Sequence, residues 1–600
     1  MPFIDRTTLD FLVYDWLAAE GLTTHARYSE HNRETFDAVF DLSARLADEH
    51  FAPHYKLSDR LEPRLDGEAV HILPEVGEAL RAYAEAGLFA ATFDESLGGA
   101  QIPALIHTAS TAMTMAANVA TAAYPMLTVA NARLLTVFGT PAQIDILARP
   151  QIEGRWFGTM CLSEPQAGSS LGDITTRAVA DGADALLGPR YRLFGNKMWI
   201  SGGDQDASEN IVHLVLAKVP GDDGRLGAGL AGISLFAVPK FLPAADGSLG
   251  EANDVVVAGL NHKMGYRGTA NCLLAFGEGT RHRPVNAAGA IGFRIGNVGQ
   301  GLAIMFRMMN EARIAVGVGA AALACRGYRH ALDYARERTQ GRVTAAHKNS
   351  PPMPIVVHAD VRRMLLAQKV YAEGALALVL YCARLVDEEA SAATETERHA
   401  AAQLLGLLTP IGKSWPAEFG LVANDLAIQI HGGYGYTRDF DVEQVYRDNR
   451  LNPIHEGTHG IQANDLVGRK ILRGNGEALA LLGERIETTL AACTEDLSTE
   501  CTALRAAWGD VNDTVAVLRG ASADAALYNA AAFLSAFGHI VVAWLWLDQA
   551  RAATADVAMR AGRREACRYF FATELPKTQQ QLALVRSGND MAVMFPDACF

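Results

Sequence analysis

The string His455-Glu456-Gly457-Thr458-His459 sets two imidazoles four residues apart with a carboxylate between them. On a helix that spacing turns both rings to one side, where they can share a zinc ion while the glutamate acts as base. The neighbouring residues argue against such a helix. Pro453 biases Asn452 away from helical backbone, and Gly457 would be an interior position that costs about 0.8–1.0 kcal/mol relative to Ala. A longer metalloprotease signature would continue with a Gly and a third His. Here Gln462 stands at the Gly position, and the "ANDLVGRK" that follows contains no His. No metal is expected, so Glu456 must find its chemistry with other partners.

Three further stretches carry residue types suited to a bound heterocycle or diphosphate. "CLSEPQAGSSLGD" (161–173) is rich in Gly and small hydroxyl residues, whose backbone amides can come close to a flat ring or a phosphate. "KMWISGGD" (197–204) sets Trp199 and Ser201 on a predicted strand, an aromatic wall beside a hydroxyl. "QIHGGYGYTRDFDVEQVYRD" (429–448) places a Gly-Gly pair between helical segments, which suits a diphosphate or a tight turn. Gly317-x-Gly319-x-x-Ala322 resembles a dinucleotide fingerprint, yet it lies inside a helical pattern with no strand before it. Close helix packing through small residues explains it better.

The elements that must hold these stretches follow from periodicity. Residues 1–155 read as an α-helical domain, in which "ETFDAVFDLSARLADEHFAPH" and "EVGEALRAYAEAGLFAA" repeat apolar residues every three or four positions. "TAMTMAANVATAAYPMLTVANARLL" reads as a tightly packed helix pair. From 156 to 285, β-branched runs such as "NIVHLVLAKVP" and "AGISLFAVPKFLP" alternate with Gly, Asp and Pro, the texture of a compact antiparallel barrel or sandwich. Long helical patterns return over 286–475 as a four-helix bundle. Residues 476–600 form an additional helical domain. Fold class is thus mainly α with a central β domain.

Bulk properties narrow the function. Six hundred residues are enough for two to four domains. The formal net charge of −14 opposes binding to a phosphate backbone. Eight dispersed cysteines, none in a C-x-x-C pair, read as reduced thiols rather than a disulfide framework. The acidic start "MPFIDRTTLDFLVYDWLAAEG" does not read as a secretion signal, which points to the cytoplasm. Residues 525–547 lack Lys, Arg, Asp and Glu and could cross a bilayer by length. Asn529, Ser535 and His539 punctuate the run, so a helix buried within a bundle is expected instead.

The order and spacing of the motifs resemble the acyl-CoA dehydrogenase family. "CLSEPQAGSS", "KMWIS", "RERTQGR", "QIHGGYGYTRD" and "IHEGT" follow one another as in that family across about 50–475. The added N- and C-terminal helices look like its larger bacterial subfamily, which includes fatty-acyl-CoA and 3-methylthiopropanoyl-CoA dehydrogenases. The resemblance implies the family's fold, an α domain, a β-barrel and a four-helix bundle, here with the extra C-terminal helices. It implies FAD as cofactor and Glu456 as the base that removes the α-proton of an acyl thioester while the β-hydride passes to the flavin. It further implies that Leu162, Ser163, Trp199 and Ser201 meet the flavin ring and that Arg338 meets the FAD diphosphate. Gln429, Gly432 and Gly433 would serve the adenine half from a partner subunit, hence a homodimer or a dimer of dimers. Thr458 would touch the cofactor, and Ser169 and Arg313 the CoA, although a salt bridge with the neighbours of Glu311 is the plain reading of Arg313. Electron-transfer flavoprotein is the implied electron acceptor, in fatty acid β-oxidation of medium- or long-chain acyl-CoA. A 3-methylthiopropanoyl-CoA or other short-chain activity is the near alternative.

Departures from the family pattern touch single contacts. "RERTQGR" lacks a Phe between Gln340 and Gly341, Asn310 stands where Asp is common, and Gly460 where Gln is common. The rivals are an acyl-CoA oxidase and an alkylation-response flavoprotein that binds DNA through its C-terminal domain. The second needs a basic tail, whereas residues 481–600 hold 10 Lys and Arg against 14 Asp and Glu. Neither nucleic acid binding nor integral membrane association is expected.

Overall fold

The β-branched runs between Trp156 and Ile295 form one eight-stranded sheet in the computed structural model, which describes residues 3–244, 246–342 and 350–600, without the side chains at 307 and 308. The strands are β1 (Trp156–Cys161), β2 (Arg177–Asp184), β3 (Gly188–Ser201), β4 (Asn210–Lys218), β5 (Ile233–Pro239), β6 (Val255–Leu260), β7 (Asn271–Phe276) and β8 (Ala290–Ile295). Their order is β6-β7-β3-β8-β5-β4-β1, with β2 pairing β3 and β4. The pairs are antiparallel except β1–β4 and the short β2–β4 bridge. Every residue of β1, β4 and β5 is buried, as expected for continuous apolar runs covered on both faces. Trp156, Leu214, Leu216, Leu235, Ile291 and Phe293 fill the core beside the sheet.

The chain divides into two units. One comprises Asp41–Ile102 and Ala117–Ala312 and contains the sheet; the other comprises the segment up to Phe40, Pro103–Ala116 and Arg313–Phe600. In the first unit α1 (Pro74–Glu85) starts with Pro at its first position, where the missing N–H costs nothing. The expected helix pair after residue 110 is two helices joined at a break within α2 (Ala104–Phe138), at Asn118 with φ −158° and ψ 94°. The Asn118 side chain donates to the Phe51 carbonyl and accepts from the Thr121 N–H. Such local side-chain bonding competes with the helix ladder.

In the second unit three long helices, α3 (Gly301–Glu337, from Arg313 onward), α4 (Ala359–Ser391) and α5 (Glu395–His431), form the scaffold. A Cβ at Gly317 would lie 2.0 Å from the Gly412 carbonyl oxygen, so α3 and α5 meet backbone to backbone. This is the close packing read from Gly317-x-Gly319-x-x-Ala322. Beyond a short α6 (His459–Asn464) come α7 (Glu477–Ala491), α8 (Ser498–Gly520), α9 (Ala530–Arg551), α10 (Val557–Thr573) and α11 (Lys577–Arg586). Every residue of α9 from Phe533 to Leu547 is buried, and α9 packs against α4, α5, α8, α10 and α11. Among the described residues, α4 and α9 are long and apolar enough to cross a membrane, but 83% and 89% of their apolar windows are buried inside the protein. The N-terminal segment docks on the same helices. The Trp16 indole donates to Asp548 at 2.8 Å, Tyr28 donates to the buried Asp387 at 2.8 Å, and the Arg563 guanidinium lies 4.9 Å over the Phe11 ring.

Polar groups are buried where α5 meets α9 and α11. The Trp415 indole donates to His539, and Tyr371 and Lys577 both donate to Glu574. Burial pushes Glu574 up, but His539, Lys577 and Tyr371 outweigh it and hold the carboxyl at about 2. Glu418 has only the Ser535 hydroxyl to oppose burial and rises to about 7. A carboxyl raised on folding contributes stability below its unfolded value, and that contribution is lost as pH climbs through the folded value. A rise of that size is worth about 3 kcal/mol at neutral pH and above. Glu418→Gln is therefore expected to melt higher than the parent near pH 8, with the gap narrowing steadily towards pH 5. A gap that does not vary with pH would count against this.

Candidate active site

Glu456 closes a turn, Leu451–Gly457, that precedes α6. The helix starts only at His459, with Thr458 as its N-cap residue, so no helix runs through the two histidines. Pro453 and Gly457 act as read from the sequence. His455 accepts or donates at Asn452 (3.0 Å) and His459 at Ser414 (3.0 Å). Burial, and then the nearby Lys413, pull these imidazoles down to about 3 and about 4. Glu456 adopts a left-handed backbone, φ +52°, and Gly457 follows at φ +91°. A positive φ at glutamate costs of order 1–3 kcal/mol and persists only where the surroundings enforce it. Gln462 enforces it here, since its amide donates to the carbonyls of Glu456 (3.0 Å) and Gly457 (3.4 Å). Burial raises the Glu456 carboxyl above its ordinary value, opposed by Arg313 and then Lys413.

Arg313 on α3 is buried at 3% exposure and pairs with Asp465 at 2.8 Å, with its Nε left without a partner among the described residues. The ion-pair reading of Arg313 thus has a concrete partner, and it is Asp465; Glu311 pairs instead with Arg133 at 3.0 Å. Thr458 is exposed beside the turn.

Arg338, Gly432 and Gly433 line one cavity of about 660 Å³ in the same unit, together with Tyr334, His358, His431 and Tyr434. Gly432 takes φ +62°, and a Cβ at either glycine would point into open space. The α5 helix ends there because the Gly432 N–H turns back to the Gln429 and Ile428 carbonyls. His431 stacks on Tyr334 with ring centroids 4.3 Å apart. Among the described residues the lining carries Arg338 and two histidines and no carboxylate, which suits a diphosphate and an aromatic ring. Gln429 is exposed one turn back on α5 and lies outside the lining.

The other unit holds Leu162, Ser163, Ser169, Trp199 and Ser201. Trp199 sits on β3 as expected, but its backbone is left-handed, φ +66°, and its side chain is 60% exposed. The β3–β7 register slips between Cys272/Ile200 and Leu274/Lys197, so Met198 and Trp199 form a bulge. A bulge re-aims a side chain out of the sheet's alternation, here presenting an indole face. The Met198 N–H donates to the Ser163 carbonyl, tying the bulge to the loop after β1. The Ser201 hydroxyl accepts from Asn271 at 3.2 Å, and Ser169 is exposed in the loop.

Three functional candidates were missed. Lys197 and Glu164 form a fully buried ion pair at 2.9 Å, and Lys197 also donates to the Leu162 carbonyl. Lys413, on α5, is wholly buried and donates to the Gly457 carbonyl at 2.7 Å. The signal for Lys413 was a lone charge inside the apolar run "LLTPIGKSW"; Glu164 and Lys197 stood inside quoted motifs without being singled out.

One unit thus holds a left-handed glutamate and an anion-suited cavity, and the other an exposed indole on a bulge. Family profiles place the chain. "Acyl-CoA dehydrogenase, middle domain" matches residues 159–278, "Acyl-CoA dehydrogenase, C-terminal domain" residues 299–471, and "Acetyl-CoA dehydrogenase C-terminal like" residues 482–596. The chain is 34% identical over 552 residues to 3-methylmercaptopropionyl-CoA dehydrogenase of Ruegeria pomeroyi, covering 90% of this chain and 89% of that one. It is 34% identical over 583 residues to the broad-specificity linear acyl-CoA dehydrogenase FadE5 of Mycobacterium tuberculosis, covering 94% and 92%. In fold it resembles Caenorhabditis elegans ACDH-11 solved with C11-CoA (TM-score 0.75, 20% identity, 99% of this chain and 94% of that one). A Bacillus anthracis acyl-CoA dehydrogenase solved with FAD is similar too (TM-score 0.73, 20% identity, 98% and 93%). The chain belongs to the acyl-CoA dehydrogenase family. It is a FAD-dependent oxidoreductase acting on the CH–CH bond of an acyl-CoA.

Proposed function

We propose that this enzyme converts a medium- or long-chain straight acyl-CoA to the trans-2-enoyl-CoA, with Glu456 as base. FAD, when bound, accepts the hydride that leaves the β-carbon. Glu456 takes the α-proton. Its carboxyl is raised by burial, which makes it a stronger base than a solvated glutamate. Its own N–H has no acceptor among the described residues, whereas its carbonyl is held by Gln462. That free donor suits the thioester oxygen, where negative charge develops as the proton departs. Leu162, Ser163, Trp199 and Ser201 hold the flavin ring; Arg338, Gly432 and Gly433 hold the diphosphate and adenine portions, with Gln429 and Thr458 at their margins. Ser169 and Arg313 serve the CoA. Electron-transfer flavoprotein takes the electrons onward within fatty acid β-oxidation, and the enzyme works as a homodimer.

The observation that carries this reading is the left-handed Glu456, held against its conformational preference, with a carboxyl that burial raises against the pull of the buried Arg313 and Lys413. A second reading rests on the Ruegeria pomeroyi relative, named for a sulfur-containing short acyl-CoA and no less identical than FadE5. Anaerobic bleaching of the purified flavoprotein with butyryl-, 3-methylthiopropanoyl-, octanoyl- and palmitoyl-CoA separates the two. We expect octanoyl- or palmitoyl-CoA to bleach fastest. Preference for the two short substrates would favour the second reading, and bleaching by none would remove both.

A further inference from the structure

Lys413 lies wholly inside the protein on α5, where a charge is expensive to keep. Its Nζ donates to the Gly457 carbonyl at 2.7 Å, and no carboxylate lies within ion-pair distance among the described residues. Gly457 is the second of two successive left-handed residues, and the first is Glu456. Gln462 holds the Glu456 carbonyl and shares the Gly457 carbonyl with Lys413. The turn is thus clamped from α5 by Lys413 and from α6, the helix after it, by Gln462. Arg313, the other cation that Glu456 feels, is already paired with Asp465. Both cations draw the Glu456 carboxyl down, Arg313 more than Lys413, but Lys413 is the one that no ion pair holds among the described residues and that bonds the turn itself.

We propose that Lys413 is a positioning residue for the Glu456 base: its ammonium pins the Gly457 carbonyl, fixing the strained turn, and its charge favours the ionised carboxylate. The proposal rests on Glu456 being the base. It accounts for a charge rather than a neutral donor at this place, since a Gln or Ser could hold the carbonyl but would not assist ionisation. The ionisable groups that Lys413 meets are Glu456 and Arg313, and it acts in turn on His455 and His459 in the same turn. Burial draws the Lys413 ammonium down to about 7, with Glu456 opposing that fall and Arg313 adding to it.

Two variants of the holoenzyme test this, Lys413→Gln, which retains a donor without charge, and Lys413→Met, which retains neither. Each is assayed by stopped-flow bleaching with octanoyl-CoA across pH, with the bound-flavin spectrum recorded first. In both, the acidic limb of the rate profile should move up by about one pH unit. Lys413→Met should also lose roughly 100-fold in the plateau rate, because the carboxylate is no longer held in place. Yellow variants with the parent's limb and plateau overturn the proposal. Loss of flavin or fold in both overturns it in favour of a purely structural lysine. Glu456→Gln, run alongside, separates the two readings. If it bleaches normally the base assignment fails, whereas an inert Glu456→Gln beside unaffected Lys413 variants defeats only the role of Lys413.

Discussion

Replacing Glu456 by Gln is expected to give a yellow, folded enzyme that an acyl-CoA no longer bleaches. The amide keeps the side chain's shape and removes its ability to accept the α-proton. A positioned general base contributes about 10²–10⁴-fold, so the rate should fall by at least that much. Stability should not suffer, because burial already disfavours the ionised glutamate and the amide is neutral. The left-handed backbone stays clamped by Gln462 and Lys413, neither of which touches the carboxyl through the bonds that hold the turn. The parent's rate should rise with pH along a limb set above the ordinary glutamate value, in the direction that burial dictates. Single-turnover bleaching gives both results. A variant with bound flavin that bleaches at the parent rate would place the base elsewhere.

Lys197→Met should produce the largest loss of stability. Glu164 is almost fully enclosed, and it accepts from the Thr175 N–H (2.7 Å), the Thr175 hydroxyl (2.9 Å), the Thr176 N–H (3.0 Å) and Gln166 (2.7 Å) besides Lys197. Burial pushes this carboxyl up, but Lys197 and then the threonines hold it at about 2. A carboxyl lowered on folding contributes stability above its unfolded value, and the contribution fades as pH drops towards 2. Removing one partner of such a pair costs about 3–5 kcal/mol, because the other charge is left buried and alone. The loss should reach the cofactor as well, since Lys197 also fixes the Leu162 carbonyl next to Ser163. A lowered melting temperature together with a reduced flavin-to-protein absorbance ratio is expected. Glu164→Gln combined with Lys197→Met should recover part of the loss. An unchanged melting temperature in Lys197→Met would show the pair to be dispensable.

Local chemistry made much of this legible. Pro453 and Gly457 were enough to reject a helix through the histidines, and the absence of any charge over 525–547 marked the segment whose 533–547 part is buried on every side. The β-branched runs located the sheet, and the small residues at 317–322 located a helix crossing. What could not be read depends on partners distant in sequence. The left-handed Trp199 follows from the slip in its pairing with β7, seventy residues later. Asn118 breaks its helix because Phe51 offers a carbonyl at the right place. Lys413 stands out in sequence only as a lone charge in an apolar run, and its partner, the Gly457 carbonyl, lies 44 residues further on. Spacing along the chain carries local conformation, but it does not show which distant backbone atom a buried charge will meet.

The docking of Trp16 on Asp548 and of Phe11 under Arg563 has a consequence for biogenesis. Domains tend to acquire structure as units while the ribosome is still at work, the earliest first. Here the sheet-bearing unit is complete once residue 312 has been made, whereas in the opening segment Tyr28 must wait for Asp387, Trp16 for Asp548 and Phe11 for Arg563. Phe11, Leu12 and Val13, all buried at the end, spend that interval exposed. A nascent chain stalled before residue 548 is expected to be a good client for chaperones that grip apolar segments near the N-terminus.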